Sequence, residues 1–188
     1  MKKKQSKKWD EYIALAWDDM ARECIKREIG KMLAIPNEFF QKDWINENTE
    51  LKVLRREEME DDGDKNQSGY DLLSKNSLRI QAKFRSSTIH LENTRRHSKK
   101  NQGAASQSGH VAYRVEETDV YCFSRPEEGC YINTDDTEIL AIPARDLEDP
   151  KNPGFIRRSV PKSIVNKYKG RAIEILESME KEWALNAG

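Results

Sequence analysis

"SGYDLLSKNSLRIQAKFRSS", residues 68–87, reads as a β-hairpin, two runs of alternating apolar residues joined by the polar turn "SKNS". Side chains two apart on a strand share a face, so Leu78, Ile80, Ala82 and Phe84 point one way and Arg79, Gln81, Lys83 and Arg85 the other. The first run carries one acid, Asp71. A two-residue turn at Lys75-Asn76 sets Asp71 across from Ile80. A three-residue turn at Lys75–Ser77, or an equivalent bulge, sets it across from Gln81. Only the second register gathers Asp71, Gln81 and Lys83 on one face. Otherwise they are ordinary solvent-facing positions.

That grouping suits phosphodiester hydrolysis, which needs an activated water and relief of charge at phosphorus. A hard cation supplies both and prefers oxygen ligands. Asp71 offers a carboxylate, Gln81 an amide oxygen and Ala82 its backbone carbonyl. Lys83 is placed to orient or deprotonate the attacking water and to offset charge in the transition state. With one carboxylate in the group, a second acid from elsewhere is wanted.

Outward from the hairpin, residues 8–34 have helical periodicity through Trp9, Tyr12, Ile13, Ala16, Trp17, Met20 and Cys24, with Gly30 and Pro36 as stops. Residues 37–49 read as a linker anchored by Phe39, Phe40 and Trp44. "ELKVLRRE" (50–57) alternates as a strand, and the acidic block after it reads as a loop. Residues 86–110 are a polar, basic segment with a short helix expected over 92–100. "DVYCFSR" (119–125) and "TEILAIPA" (137–144) are strands, with "CYIN" a possible hairpin partner of the latter. "NPGF" (152–155) is a turn, and 161–185 is a helix facing inward through Ile164, Tyr168, Ala172, Ile175, Met179 and Trp183. The expected class is α/β, with a mixed central β-sheet flanked by helices.

The 188 residues suit a single domain over 1–188, with residues 1–8 ("MKKKQSKK") a basic disordered tail. No apolar stretch follows that tail, so it does not read as a secretory signal, and no apolar run is long enough to span a membrane. The three cysteines lack CxxC spacing, which argues for a reducing, cytoplasmic setting and against a disulfide framework or zinc. The histidines at 90, 97 and 110 have no metal-binding spacing either. Cys122 and the tryptophans Trp9, Trp17 and Trp183 read as core.

Net charge is zero, but the charges are segregated. Residues 57–64 hold six acids and no base, and 127–149 eight acids and one Arg. Residues 79–100 hold seven Lys/Arg against one acid, and 151–171 seven Lys/Arg and none. Blocks of both signs suit a protein that grips a polyanion and holds a cation. Arg79, Arg85, Arg95, Arg96, Lys99 and Lys100 are candidate DNA-binding residues beside the Lys83 strand, and 155–171 is a second basic surface. Either is also readable as a solvated face balancing the acids.

"GYDLL…LRIQAKFR" resembles the PD-(D/E)xK nuclease superfamily, which has the restriction-endonuclease-like fold. It is most similar to the branch with a D…QxK pattern, which includes Mrr-type restriction nucleases. The motif covers about 20 residues, while the element order agrees over most of the chain. The resemblance implies an α-β-β-β-α-β core and a Mg²⁺-dependent (one or two ions) endonuclease. Asp71 and Gln81, with Ala82, would be metal ligands and Lys83 the catalytic lysine. Many members carry a completing Glu on the first helix, for which Glu23 is the candidate and Glu28 the alternative. Gln81 departs from the acid in the superfamily's name. The implied partner is double-stranded DNA, cut as a type II restriction endonuclease by a homodimer. Junction-resolving, repair or homing nucleases of the same fold are alternatives. So are a non-catalytic nucleic-acid-binding protein on a degenerate nuclease fold and an interaction module with no nucleic-acid role.

Overall fold

In the computed structural model the hairpin lies inside a five-stranded mixed sheet. The structure describes residues 9–20, 34–59, 70–84, 94–96, 110–125 and 137–186. The sheet is built from β1 (Val53–Arg55), β2 (Leu72–Ser74), β3 (Arg79–Phe84), β6 (Val120–Arg125) and β7 (Glu138–Pro143), adjacent in that order. β1, β2 and β3 run antiparallel to one another, β3 and β6 are parallel, and β7 is antiparallel to β6. The expected α/β class with a mixed sheet is therefore present. Between β3 and β6, the described residues hold β4 (Thr94–Arg96) paired with β5 (His110–Ala112), then a 3-10 turn at Val115–Glu117. The helix expected over 92–100 is thus a strand at 94–96. A β-branched Thr and long Arg side chains suit a two-stranded ribbon as well as a helix.

Helices and loops cover both faces of the sheet. On one face, Ile80, Val120, Cys122, Ile139 and Ala141 pack against Phe40 and Ile45 of α2 (Ala34–Asn48) and against Ala172 and Leu176 of α4 (Ala172–Asn186). Tyr12 of α1 (Trp9–Leu15) joins this cluster, its ring edge-on to Phe40 at 5.5 Å. On the other face, Tyr121, Phe123, Leu140 and Ile142 meet Leu147, Ile156, Val160 and Tyr168, the last from α3 (Lys162–Tyr168). β6 is buried on both sides, which is why its sequence is a continuous apolar run rather than an alternating one.

Three segments differ from expectation. Residues 37–49 are not a linker but most of α2. Pro36 lies in that helix's first turn, where a missing N–H costs nothing, so it helps to start a helix rather than stop one. The expected C-terminal helix is two, α3 and α4, broken where Gly170 takes φ +71, a left-handed step that glycine makes freely. "NPGF" is part of β9 (Asn152–Ile156), paired through a bulge with β8 (Glu148–Asp149).

Cys122 is fully buried as expected, and burial pushes its thiol up to about 12, far from a nucleophile's range. Trp17, expected in the core, is 63% exposed, while Trp183 packs partly against the first core. Ala16 and Met20 form the inner side of that first helical segment, and Trp17 follows on its outer side. The tail 1–8, Cys24 and "CYIN" lie outside the described residues. No helix among the described residues is long and apolar enough to cross a membrane.

Candidate active site

The turn between β2 and β3 has three residues, Lys75–Ser77. Ser74 N–H donates to Leu78 O at 3.1 Å, Ser77 N–H donates to Ser74 O at 3.0 Å, and Ser77 sits at φ +70. This sets Leu72 opposite Ile80, both fully buried in the first core. One residue further out, Asp71 lies on the other face. Its Oδ2 accepts hydrogen bonds from Gln81 Nε2 and, at 2.9 Å, from the Ala82 backbone N–H. The Asp71 N–H itself donates to Ile80 O at 2.9 Å. The odd turn needed to bring Asp71 to Gln81 is the one the chain adopts.

The side chain of Gln81 is not solvent-facing but buried, beside Tyr121 of β6. Lys83 is half-buried, opposite Phe123. Burial pushes the Asp71 carboxyl above its usual range, opposed most by the Lys83 ammonium and then by the Ala82 N–H. Glu57 pushes it up further, and Gln81 pulls it down. No hydrogen bond among the described residues reaches Asp71 Oδ1.

A second acid is present that the sequence reading passed over. Glu38, in the second turn of α2, is 13% exposed. Burial raises its carboxyl well above the usual range. The charges of Asp71 and Glu57 raise it further, while Arg55 and Lys83 pull it down. Glu38 and Asp71 thus form an interacting pair of raised carboxyls beside one lysine. Glu23 and Glu28 lie outside the described residues.

Two buried side chains of this region hold the acids' surroundings in place. Gln41, one turn beyond Glu38 and fully buried, uses Nε2 to reach Lys83 O at 3.2 Å, Cys122 O at 3.1 Å and Ser124 Oγ at 2.8 Å. It ties α2 to the ends of β3 and β6. Arg55, 3% exposed at the end of β1, lies 3.8 Å over the Phe39 ring and pairs with Asp19 at 3.1 Å, Glu57 at 3.2 Å and Glu38 at 3.7 Å. Glu38 and Gln41 stand three positions apart, which puts them on one side of a helix, and that spacing was the available signal for both α2 residues.

The DNA-facing candidates are placed unevenly. Arg79 is held by Asp119 through its backbone N–H at 2.7 Å and its guanidinium at 2.8 and 3.1 Å, so its charge is already met within the fold. Arg95 and Arg96 lie on β4, while Arg85, Lys99 and Lys100 lie outside the described residues. In the second basic surface, Lys167 pairs with Asp146, Arg171 pairs with Glu174 and Arg157 donates to Glu148 O. In that surface Lys167 and Arg171 are thus met by acids and Arg157 by a backbone carbonyl.

The donor set fits a hard cation through two carboxylates, the Gln81 amide oxygen and the Ala82 carbonyl, all oxygen ligands. Two acids raised by burial and by neighbouring acids are the electrostatic condition a divalent cation relieves. Among the described residues no group of three or more His, Cys, Asp or Glu is placed to hold a metal, so neutral oxygens must complete the set. A ligating Gln81 has to turn its amide over, because Nε2 now faces Asp71.

Compared with family models, with curated proteins and with solved structures, the chain matches none.

Proposed function

We propose that the chain is a Mg²⁺-dependent DNA endonuclease of the restriction-endonuclease-like class, acting on double-stranded DNA as a type II restriction enzyme and as a homodimer. The observation that carries this reading is the meeting of Asp71 with Gln81 and the Ala82 N–H, within electrostatic reach of Lys83. The three antiparallel strands followed by a parallel one suit the strands of that fold, whereas between β3 and β6, where the α-β-β-β-α-β order expects a helix, the described residues hold the β4–β5 pair and a 3-10 turn.

In this reading Asp71, Glu38, Gln81 and Ala82 hold the cation, and Glu38 takes the part first assigned to Glu23. Mg²⁺ supplies water activation at neutral pH and charge relief at the phosphorane. Lys83 orients the attacking water and offsets the growing negative charge. Gln41 fixes the backbone beneath Lys83, and Arg55 fixes Glu38.

A single experiment tests the reading. Mixed plasmid and phage DNA is incubated with and without Mg²⁺, beside Lys83→Ala. Discrete, metal-dependent bands lost in the variant support it. A second reading, a nucleic-acid-binding protein on a degenerate nuclease fold, is favoured by one feature: Gln81 spends its amide as a donor to Asp71. Binding without cutting, unchanged by Mg²⁺, supports that alternative.

A further inference from the structure

Glu180 is a buried acid that the proposed chemistry does not use. It lies on α4, 7% exposed, and its Oε1 has no hydrogen-bond partner among the described residues. Its Oε2 accepts the Ser74 hydroxyl at 2.6 Å, across 106 positions of sequence. An acid left half-satisfied in a core costs stability, so its retention calls for a reason.

The reason lies in what the Ser74 hydroxyl does. It has one proton. Given to Glu180, that proton points away from the turn, and the oxygen's lone pairs face the Leu78 N–H, which they accept at 3.0 Å. A hydroxyl that donates one hydrogen bond is also polarised as an acceptor, which strengthens the second bond. With Ser74 N–H on Leu78 O and Ser77 N–H on Ser74 O, one serine closes the whole three-residue turn. The turn needs such support, because Ser77 holds a left-handed conformation that L-residues disfavour by about 1–2 kcal/mol. β2 is only three residues long, so it has few ladder bonds of its own to fix where Asp71 falls.

We propose that Glu180 is a positioning residue: it orients the Ser74 hydroxyl and through it holds the odd turn that delivers Asp71 to Gln81. Its importance for cleavage rests on the nuclease reading, whereas its control of the turn does not. The packing of Leu72 against Ile80 keeps the hairpin's gross pairing, and Glu180 sets the local geometry at its closed end.

The test is amide hydrogen exchange by NMR at the Ala82 N–H, whose acceptor is Asp71 Oδ2, with the Cys122 N–H in β6 as the internal control. Glu180→Ala is expected to speed exchange at Ala82 about tenfold relative to Cys122, equivalent to about 1.4 kcal/mol. Glu180→Gln keeps an oxygen acceptor for Ser74 and is expected to restore protection. Unchanged protection at Ala82 in Glu180→Ala, or an equal loss at Ala82 and Cys122, overturns the proposal. If Glu180→Ala does not fold, Ser74→Ala is read in the same way, with the same two overturning outcomes. Failure of the wild type to cut DNA removes the nuclease reading and leaves this readout intact. If the wild type cuts, Glu180→Ala raises the Mg²⁺ concentration needed for half-maximal cleavage, and Glu180→Gln restores it.

Discussion

Glu38→Gln is expected to stabilise the metal-free protein at pH 8 and to abolish most of its response to Mg²⁺. The Glu38 carboxyl is raised by burial and by the charges of Asp71 and Glu57, and burial raises Asp71 as well. A raised acid holds its proton in the folded state after the unfolded chain, with ordinary values of 4.5 and 3.8, has released it. Stability therefore falls as pH climbs from about 4 through the folded-state titration, and the full penalty applies above it. Each unit by which a group is raised costs about 1.4 kcal/mol there. Gln keeps the shape and removes the charge. The variant forfeits a 3.7 Å pairing with Arg55, which keeps Asp19 at 3.1 Å and Glu57 at 3.2 Å. For a chain of this size, about 2–4 °C of Tm is gained per kcal/mol relieved. The gain is present at pH 8 and shrinks toward pH 4 as the raised carboxyls take up protons. Mg²⁺ at a hundred times its Kd stabilises the wild type by about 2.7 kcal/mol, or about 5–11 °C. Thermal melts by circular dichroism at both pH values, with and without Mg²⁺, measure all four quantities. A metal-free Glu38→Gln protein that melts below wild type at pH 8, yet keeps the full Mg²⁺ shift, would refute the reasoning.

Ser77→Gly relieves the left-handed strain at an exposed position and is expected to stabilise by about 0.5–1 kcal/mol in urea denaturation, whereas Ser77→Val destabilises. Arg55→Met keeps the packing on Phe39 but leaves Glu38 and Asp19 without their cation. A loss of about 3–5 kcal/mol is expected at neutral pH, shrinking toward pH 4 as the raised Glu38 carboxyl takes up its proton. Gln81→Glu removes the donor to Asp71 and sets a carboxylate against it, so the metal-free protein loses about 1–3 kcal/mol. Titration calorimetry with Mn²⁺ then shows tighter binding than wild type.

The hairpin was the most legible part of the chain because parity is a yes-or-no property. Leu72, Leu78 and Ile80 must face one way, and that leaves one register in which Asp71 meets Gln81. The strands at 120–125 and 138–143 were legible from apolar runs alone. α2 was not, because the face it buries carries Asn37 and Gln41 among Ile35, Phe40 and Ile45, which blurs the apolar stripe. The missed helix took Glu38 with it. The completing acid was then expected at Glu23 or Glu28 in the first helical segment, 8–34. The strand at 94–96 was hidden for the opposite reason: its partner is 14 or more residues away, and long-range pairing leaves no local signature.

Gln81 acquires a physical rationale from Glu38. With acids at 38 and 71 and one more at 57, burial first and the neighbouring acids second already raise two carboxyls on folding. A third buried acid at 81 would repel Asp71 and remove one of the two donors to Oδ2, leaving the Ala82 N–H. The neutral amide instead gives Asp71 a hydrogen bond whenever no cation is bound, and it can present oxygen when one is. The cost is one fewer charged ligand and weaker attraction for the cation. In the proposed reading, the departure from the acidic pattern would trade metal affinity for a stable metal-free fold, with Glu38 of α2 supplying the carboxylate that β3 lacks.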